Sequence, residues 1–190
     1  MKKYIVSIVF VMIAILAFSQ EERSIEAPET KKLTKEQRAE QRRLADEAMA
    51  SVVDSIIQRR KFVLEADFLS NQSGNRVNVN SLLNFIIVDS SDIVIQVAST
   101  TGIGGPNGMG GVTTRGRISS FDVKKTGKNK DVYYIRLMAN TTLGTYDIYL
   151  HVSPNSNADA SLSGITPGKL NYHGMIKPMN KSRVFKGMAI

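Results

Sequence analysis

Between Phe62 and Ile176 the chain is a succession of short apolar or alternating runs broken by turn residues, and this pattern limits the fold more than any other feature. Phe62, Leu64, Ala66 and Phe68 alternate with Glu65 and Asp67, the period of a half-buried strand. Phe85-Ile86-Ile87-Val88 is a continuous apolar run closed by Asp89-Ser90-Ser91-Asp92, and Ile93, Ile95 and Val97 then alternate again. Further strands are expected over Val112–Lys124, Val132–Asn140, Tyr146–Val152, Asp159–Ile165 and Leu170–Ile176. Turn clusters separate them: Ser70 to Asn75, Gly127 to Lys130, Leu143-Gly144-Thr145 and Pro167-Gly168. Val77 and Val79 suggest one brief extra strand. No long helical pattern lies between strands, which argues against a parallel α/β sheet and for antiparallel pairing. The expected class is mainly β: an antiparallel β-barrel or flattened sandwich, lipocalin-like, preceded by one amphipathic N-terminal helix.

That helix is expected over 35–58. Thr34 and Gln37 have the spacing of a capping box. Ala45, Ala48, Met49, Val52, Val53, Ile56 and Ile57 then recur at intervals of three and four, an apolar stripe in the C-terminal half whose Val52, Val53, Ile56 and Ile57 end is expected to pack on the sheet. The first half of the helix is charged on most sides and should project into solvent.

Upstream, Lys2 and Lys3 precede an apolar stretch from Tyr4 to Leu16, and Ala17-Phe18-Ser19 supplies small residues for cleavage before Gln20. The apolar stretch is shorter than the roughly 20 residues a membrane-spanning helix needs. The expected organisation is a signal peptide over 1–19, a disordered linker over 20–33 and a single domain over 34–190, β-rich from 61 to 178. The mature protein would be exported to the periplasm or outer envelope of a Gram-negative bacterium, with no stable transmembrane anchor after signal cleavage.

Removing Lys2 and Lys3 lowers the formal charge from +8 to +6. The remaining excess lies in the strand region, most densely at Arg115, Arg117, Lys124, Lys125, Lys128 and Lys130. Such a face attracts anionic partners or simply solvates a hairpin. Aromatic content of 7% without a stacking motif argues against nucleic acid. Cysteine is absent, which excludes disulfides, thiolate metal ligation, a cysteine nucleophile and a lipid anchor attached through cysteine.

The link Gly102–Gly111 carries six of the chain's 14 glycines. It lacks the lysine and the following helix of a phosphate-binding loop, so it reads as a connection or flap at the open end of the sheet. Its large apolar residues, Ile103 and Met109, are the candidate ligand contacts. Tyr146, Ile148, Leu150 and Val152 share one strand face, leaving Asp147, Tyr149 and His151 on the other. Asp147 and His151 lie about 13–14 Å apart on an extended strand, too far to touch. His173, with Asn171 and Lys177, falls on a polar face. Both histidines therefore read as solvated surface residues without a carboxylate cluster, and no metal site, cofactor or catalytic residue is expected. Ser153, Ser161 and Ser163 lack a nucleophile-elbow pattern.

Several segments carry a family resemblance: Phe62-Val63-Leu64-Glu65-Ala66 after the helix, Asn84-Phe85, the Gly102–Gly111 link with Gly116-Arg117-Ile118, and Tyr172-His173-Gly174-Met175-Ile176-Lys177-Pro178. With them the chain resembles the secreted bacterial proteins classed as domain-of-unknown-function family 4251. The resemblance implies a small β-barrel-like domain behind an N-terminal helix and brings no activity, substrate or catalytic residue. The leading functional expectation is a non-enzymatic module holding a small apolar or amphipathic ligand in the barrel. The alternative is an envelope interaction or structural module that meets another envelope component through its basic face and exposed strand edges. A hydrolase comes third, because no nucleophile and base are brought together by any motif.

Overall fold

The computed structural model describes residues 34–98, 111–127, 131–164 and 168–184. The signal-like segment 1–19 and the linker 20–33 lie outside the described residues. The helix α1 spans Lys35–Gln58, as its sequence predicts. Its start is fixed by the capping box: the Thr34 backbone N–H donates to Gln37 Oε1 at 3.0 Å, and the Gln37 N–H donates to Thr34 Oγ1 at 3.2 Å. Strong helix formers fill the exposed middle, where Arg43 bridges Glu40 and Glu47 at 2.7 and 2.8 Å.

The apolar stripe docks only at its C-terminal end. Val53, Ile56 and Ile57 are buried, whereas Met49 is 41% exposed and Leu44 is 51% exposed. The helix therefore docks through the end expected from its sequence, Val52, Val53, Ile56 and Ile57. Asp54 on the same end accepts hydrogen bonds from Tyr133 Oη at 2.7 Å and Lys125 Nζ at 3.1 Å. Partial burial raises the Asp54 carboxyl, but these two donors more than offset it and hold it below the usual carboxylate range. The helix ends at Gln58, and Arg60, with a φ of 52°, turns the chain into the first strand.

Among the described residues nine strands follow: β1 Lys61–Asn71, β2 Arg76–Asn78, β3 Phe85–Asp89, β4 Asp92–Ala98, β5 Gly111–Thr126, β6 Val132–Thr141, β7 Gly144–Val152, β8 Asn157–Ser163 and β9 Lys169–Lys177. Every pairing is antiparallel, neighbours in the sheet are mostly neighbours in sequence, and β9 pairs back onto β1. Eight strands therefore close a barrel, and β2 attaches only to the far end of β1. Closure decides between the barrel and the flattened sandwich left open by the sequence.

The barrel interior is packed by Phe62, Leu64, Ile86, Ile93, Ile135, Leu137, Ile148, Leu150, Tyr172 and Ile176, among others. Tyr172 on β9 is fully buried and donates across the interior to the Gln96 carbonyl of β4 at 3.0 Å. Burial pushes the pKa of its hydroxyl up.

A β-bulge in β1 between Ala66 and Phe68 changes which residues face inward. Phe62, Leu64 and Ala66 point to the core, but after the bulge Leu69 does, and Phe68 and Ser70 turn to the outer face. The inward position expected for Phe68 is corrected accordingly. A second apolar cluster lies on the outside, where Val63, Phe85 and Ile87 are covered by Val94, Met179 and Val184. The continuous apolar run of β3 is explained by this burial on both faces. No described helix is long and apolar enough to cross a membrane.

Candidate functional site

Cross-strand register assembles a row of polar and aromatic side chains on the outer face. Lys124 of β5 pairs with Tyr134 of β6, Tyr134 with His151 of β7, His151 with Asp159 of β8, Asp159 with His173 of β9, and His173 with Phe68 of β1. Directly paired side chains on one face lie close enough to interact. Asp159 accordingly stands between the two histidines. Its Oδ1 is 2.6 Å from His173 Nδ1, and its Oδ2 is 3.9 Å from His151 Nδ1. The two histidines thus share a single carboxylate, a meeting that alternation along one strand does not contain. The nearer carboxylate in sequence, Asp147, is instead held by Arg136 at 3.1 Å and by Tyr149 Oη at 3.1 Å. The bond from Arg136 keeps the Asp147 carboxyl below its usual range.

The other ring nitrogen of His173, Nε2, lies 2.9 Å from Ser70 Oγ. The proton positions follow from the chemistry. An ionised Asp159 only accepts, so Nδ1 carries the hydrogen; in the neutral ring Nε2 then accepts from the Ser70 hydroxyl. Asn171 Nδ2 in turn donates to Ser70 Oγ at 3.3 Å. The imidazole is clamped flat against the Phe68 ring, with centroids 4.4 Å apart and planes within 13°. The guanidinium of Arg76, the residue paired with Ser70 across β1 and β2, covers the other side of Phe68. The bulge brings Ser70 and Phe68 to this face, so alternation counted from Phe62 misses them.

A groove of about 720 Å³ runs along this row, lined by Lys124, Tyr134, Arg136, Tyr149, Asp159 and His173. Tyr134 and Tyr149 are half exposed within it. Among the described residues no group of three or more histidine, cysteine, aspartate or glutamate side chains is arranged to share a metal ion.

A second concavity of about 910 Å³ opens at one end of the barrel. Its apolar lining comes from Ile95, Val97, Tyr146, Leu162 and Leu170, with Asn71, Ser73 and Lys169 among its polar residues. Gly164 leaves room for the Tyr146 ring: a Cβ there would come within 2.7 Å of Tyr146 Cε1. Val97 and Val112, which flank the glycine-rich link, also line this opening. Ile103 and Met109 lie outside the described residues.

A search of curated proteins finds no match. The family described as a domain of unknown function, DUF4251, matches residues 45–176, a span that runs from α1 through most of β9. The chain belongs to the DUF4251 family. Its fold is also similar to the crystal structure of a DUF4251 family protein from Bacteroides eggerthii DSM 20697, with a TM-score of 0.62 and 26% sequence identity. That likeness covers 77% of this chain and 99% of the other. Ser70, His151, Asp159 and His173 of this DUF4251 chain all fall inside the matched span.

Proposed function

We propose that this DUF4251 barrel is a binding module that takes a small apolar or amphipathic ligand into its open end. The observation that carries this reading is the contrast between the two parts of the interior. The middle is filled by side chains and crossed by Tyr172, whereas the end lined by Ile95, Val97, Leu162 and Leu170 holds an opening of about 910 Å³. That volume lies within the range of small-ligand sites, which combine apolar walls with a few polar groups. Asn71, Ser73 and Lys169 supply polar groups for the head of an amphipathic molecule. Closure of the ring weakens the reading of an envelope module that pairs through bare strand edges, because among the described strands β2 alone stays outside the ring.

Titration with the fluorescent fatty acid 11-(dansylamino)undecanoic acid tests the proposal. Saturable enhancement is expected in the native protein. Gly164→Val, which drives the Tyr146 ring toward the opening, should weaken binding by roughly tenfold, equivalent to about 1.4 kcal/mol. Absence of saturable binding, or unchanged affinity in Gly164→Val, overturns it.

The same reading places the protein outside the cytoplasm, in the periplasm or outer envelope of a Gram-negative bacterium. Its support is the pair Lys2 and Lys3 ahead of the short apolar stretch Tyr4–Leu16. N-terminal sequencing of the protein recovered from its producing cell should begin near Gln20, and an intact Met1 overturns the assignment.

A further inference from the structure

We infer that Ser70, His173 and Asp159 form a nucleophilic relay on the outer face of the barrel, able to hydrolyse carboxylic esters laid along the adjoining groove. The inference is independent of ligand binding at the open end. It rests on two contacts in series. Ser70 Oγ lies 2.9 Å from His173 Nε2, and His173 Nδ1 lies 2.6 Å from Asp159 Oδ1. The nucleophile thus meets one ring nitrogen and the orienting carboxylate the other, the arrangement by which an imidazole accepts a hydroxyl proton while its tautomer is held. Stacking on Phe68 removes the ring's freedom to turn away.

Two polar residues stand beside Ser70. Asn171 Nδ2 stands 3.3 Å from Ser70 Oγ, on the β9 side. Arg76 on β2 is directly paired with Ser70, its guanidinium lying over the Phe68 ring. From Asn171 the groove continues past Asp159 to the half-exposed rings of Tyr134 and Tyr149, which offer apolar faces to the body of an ester.

The chemistry closes without any further reactant than water. Ser70 Oγ attacks the ester carbonyl carbon as its proton moves to His173 Nε2. The carbon–oxygen bond to the leaving group breaks, and the alkoxide takes that proton and departs as the alcohol. Water then attacks the acylated Ser70, giving a proton to Nε2. Collapse of this second adduct returns the proton to Ser70 and releases the carboxylic acid. Asp159 touches neither reactant; it is a positioning residue.

A fluorophosphonate, which traps activated serines covalently, tests the inference on the full native protein. Peptide mass spectrometry should locate the adduct on Ser70 and not on Ser153, Ser161 or Ser163, a result that needs no variant to fold. His173→Ala should slow labelling by at least about 100-fold, the weight of a lost general base. His173→Gln replaces it if thermal unfolding shows the alanine variant to be unfolded. With p-nitrophenyl butyrate as substrate, Asp159→Asn should lower kcat while KM and thermal stability hold. No adduct on Ser70, or labelling of Ser70 at an unchanged rate in the His173 variant, overturns the relay.

Discussion

Glu65 is 4% exposed on the outer face of β1, beside the apolar cluster of Val63, Phe85 and Ile87. A lone carboxylate there would be costly to desolvate, and its two oxygens are accordingly taken by Lys177 Nζ at 2.6 Å and Ser182 Oγ at 2.7 Å. This pairing ties β1 to the segment beyond β9. Alternation along β1 places Glu65 on a polar side, and the side is right. What the local pattern does not contain is the cover supplied by Met179 and Val184, more than a hundred residues away. The same limit applies to the outer-face relay. Ser70 and His173 are 103 positions apart, and Asp159 and His173 are 14 apart, so their meeting depends on register and not on spacing within a motif. Register across β8 and β9 follows from the hairpin; that of Ser70 does not, because the bulge after Ala66 reverses the alternation.

Elements were more legible than side-chain meetings. Period and turn chemistry place α1 at its observed ends, and the strand expected over Val132–Asn140 differs from β6 by one residue. Val79 falls outside β2, since a three-residue strand carries too short a pattern to delimit. Helix docking was legible as well: of the seven apolar residues on the stripe, the end at Val52, Val53, Ile56 and Ile57 meets the barrel, while Met49 stays exposed. This distinction makes a paired test. Ile56 is 7% exposed, so Ile56→Asp puts a charge into apolar surroundings and should cost about 3 kcal/mol or more. At roughly 2–4 °C per kcal/mol for a domain of this size, the midpoint of thermal unfolding should fall visibly. Met49, on the same stripe but 41% exposed, should accept Asp within about 0.5 kcal/mol. Equal midpoints for native protein and Ile56→Asp would show that α1 does not hold to the barrel through its last turns.

At the scale of the molecule, the decisive contact is the seam between the first and last strands. An open sheet of these strands would present two unpaired edges, one on β1 and one on β9; their pairing over Val63 to Asn71 removes both. The seam requires close backbone approach at Gly174, which pairs with Ala66 just before the bulge. A Cβ on Gly174 would collide with the Glu65 carbonyl oxygen and lie 2.9 Å from Ala66 Cα. Both are main-chain atoms, so no side chain can swing aside to relieve the contact. Gly174→Ala must therefore separate β1 from β9 or distort the bulge, at a cost near the upper end of the overpacking range, about 3 kcal/mol. Because the loss falls on the only pairing that joins the ends of the meander, its signature should be local as well as global. Amide hydrogen exchange should accelerate in β1 and β9 while β6 and β7, paired on both sides far from the seam, retain their protection. Exposed edges should also make the variant prone to association on heating. Gly164→Ala supplies the control, since its new methyl meets the ring of Tyr146 and not a backbone, and the seam should stay closed. If Gly174→Ala melts with the native protein and exchanges with the native pattern, closure through this glycine is not what keeps the barrel shut.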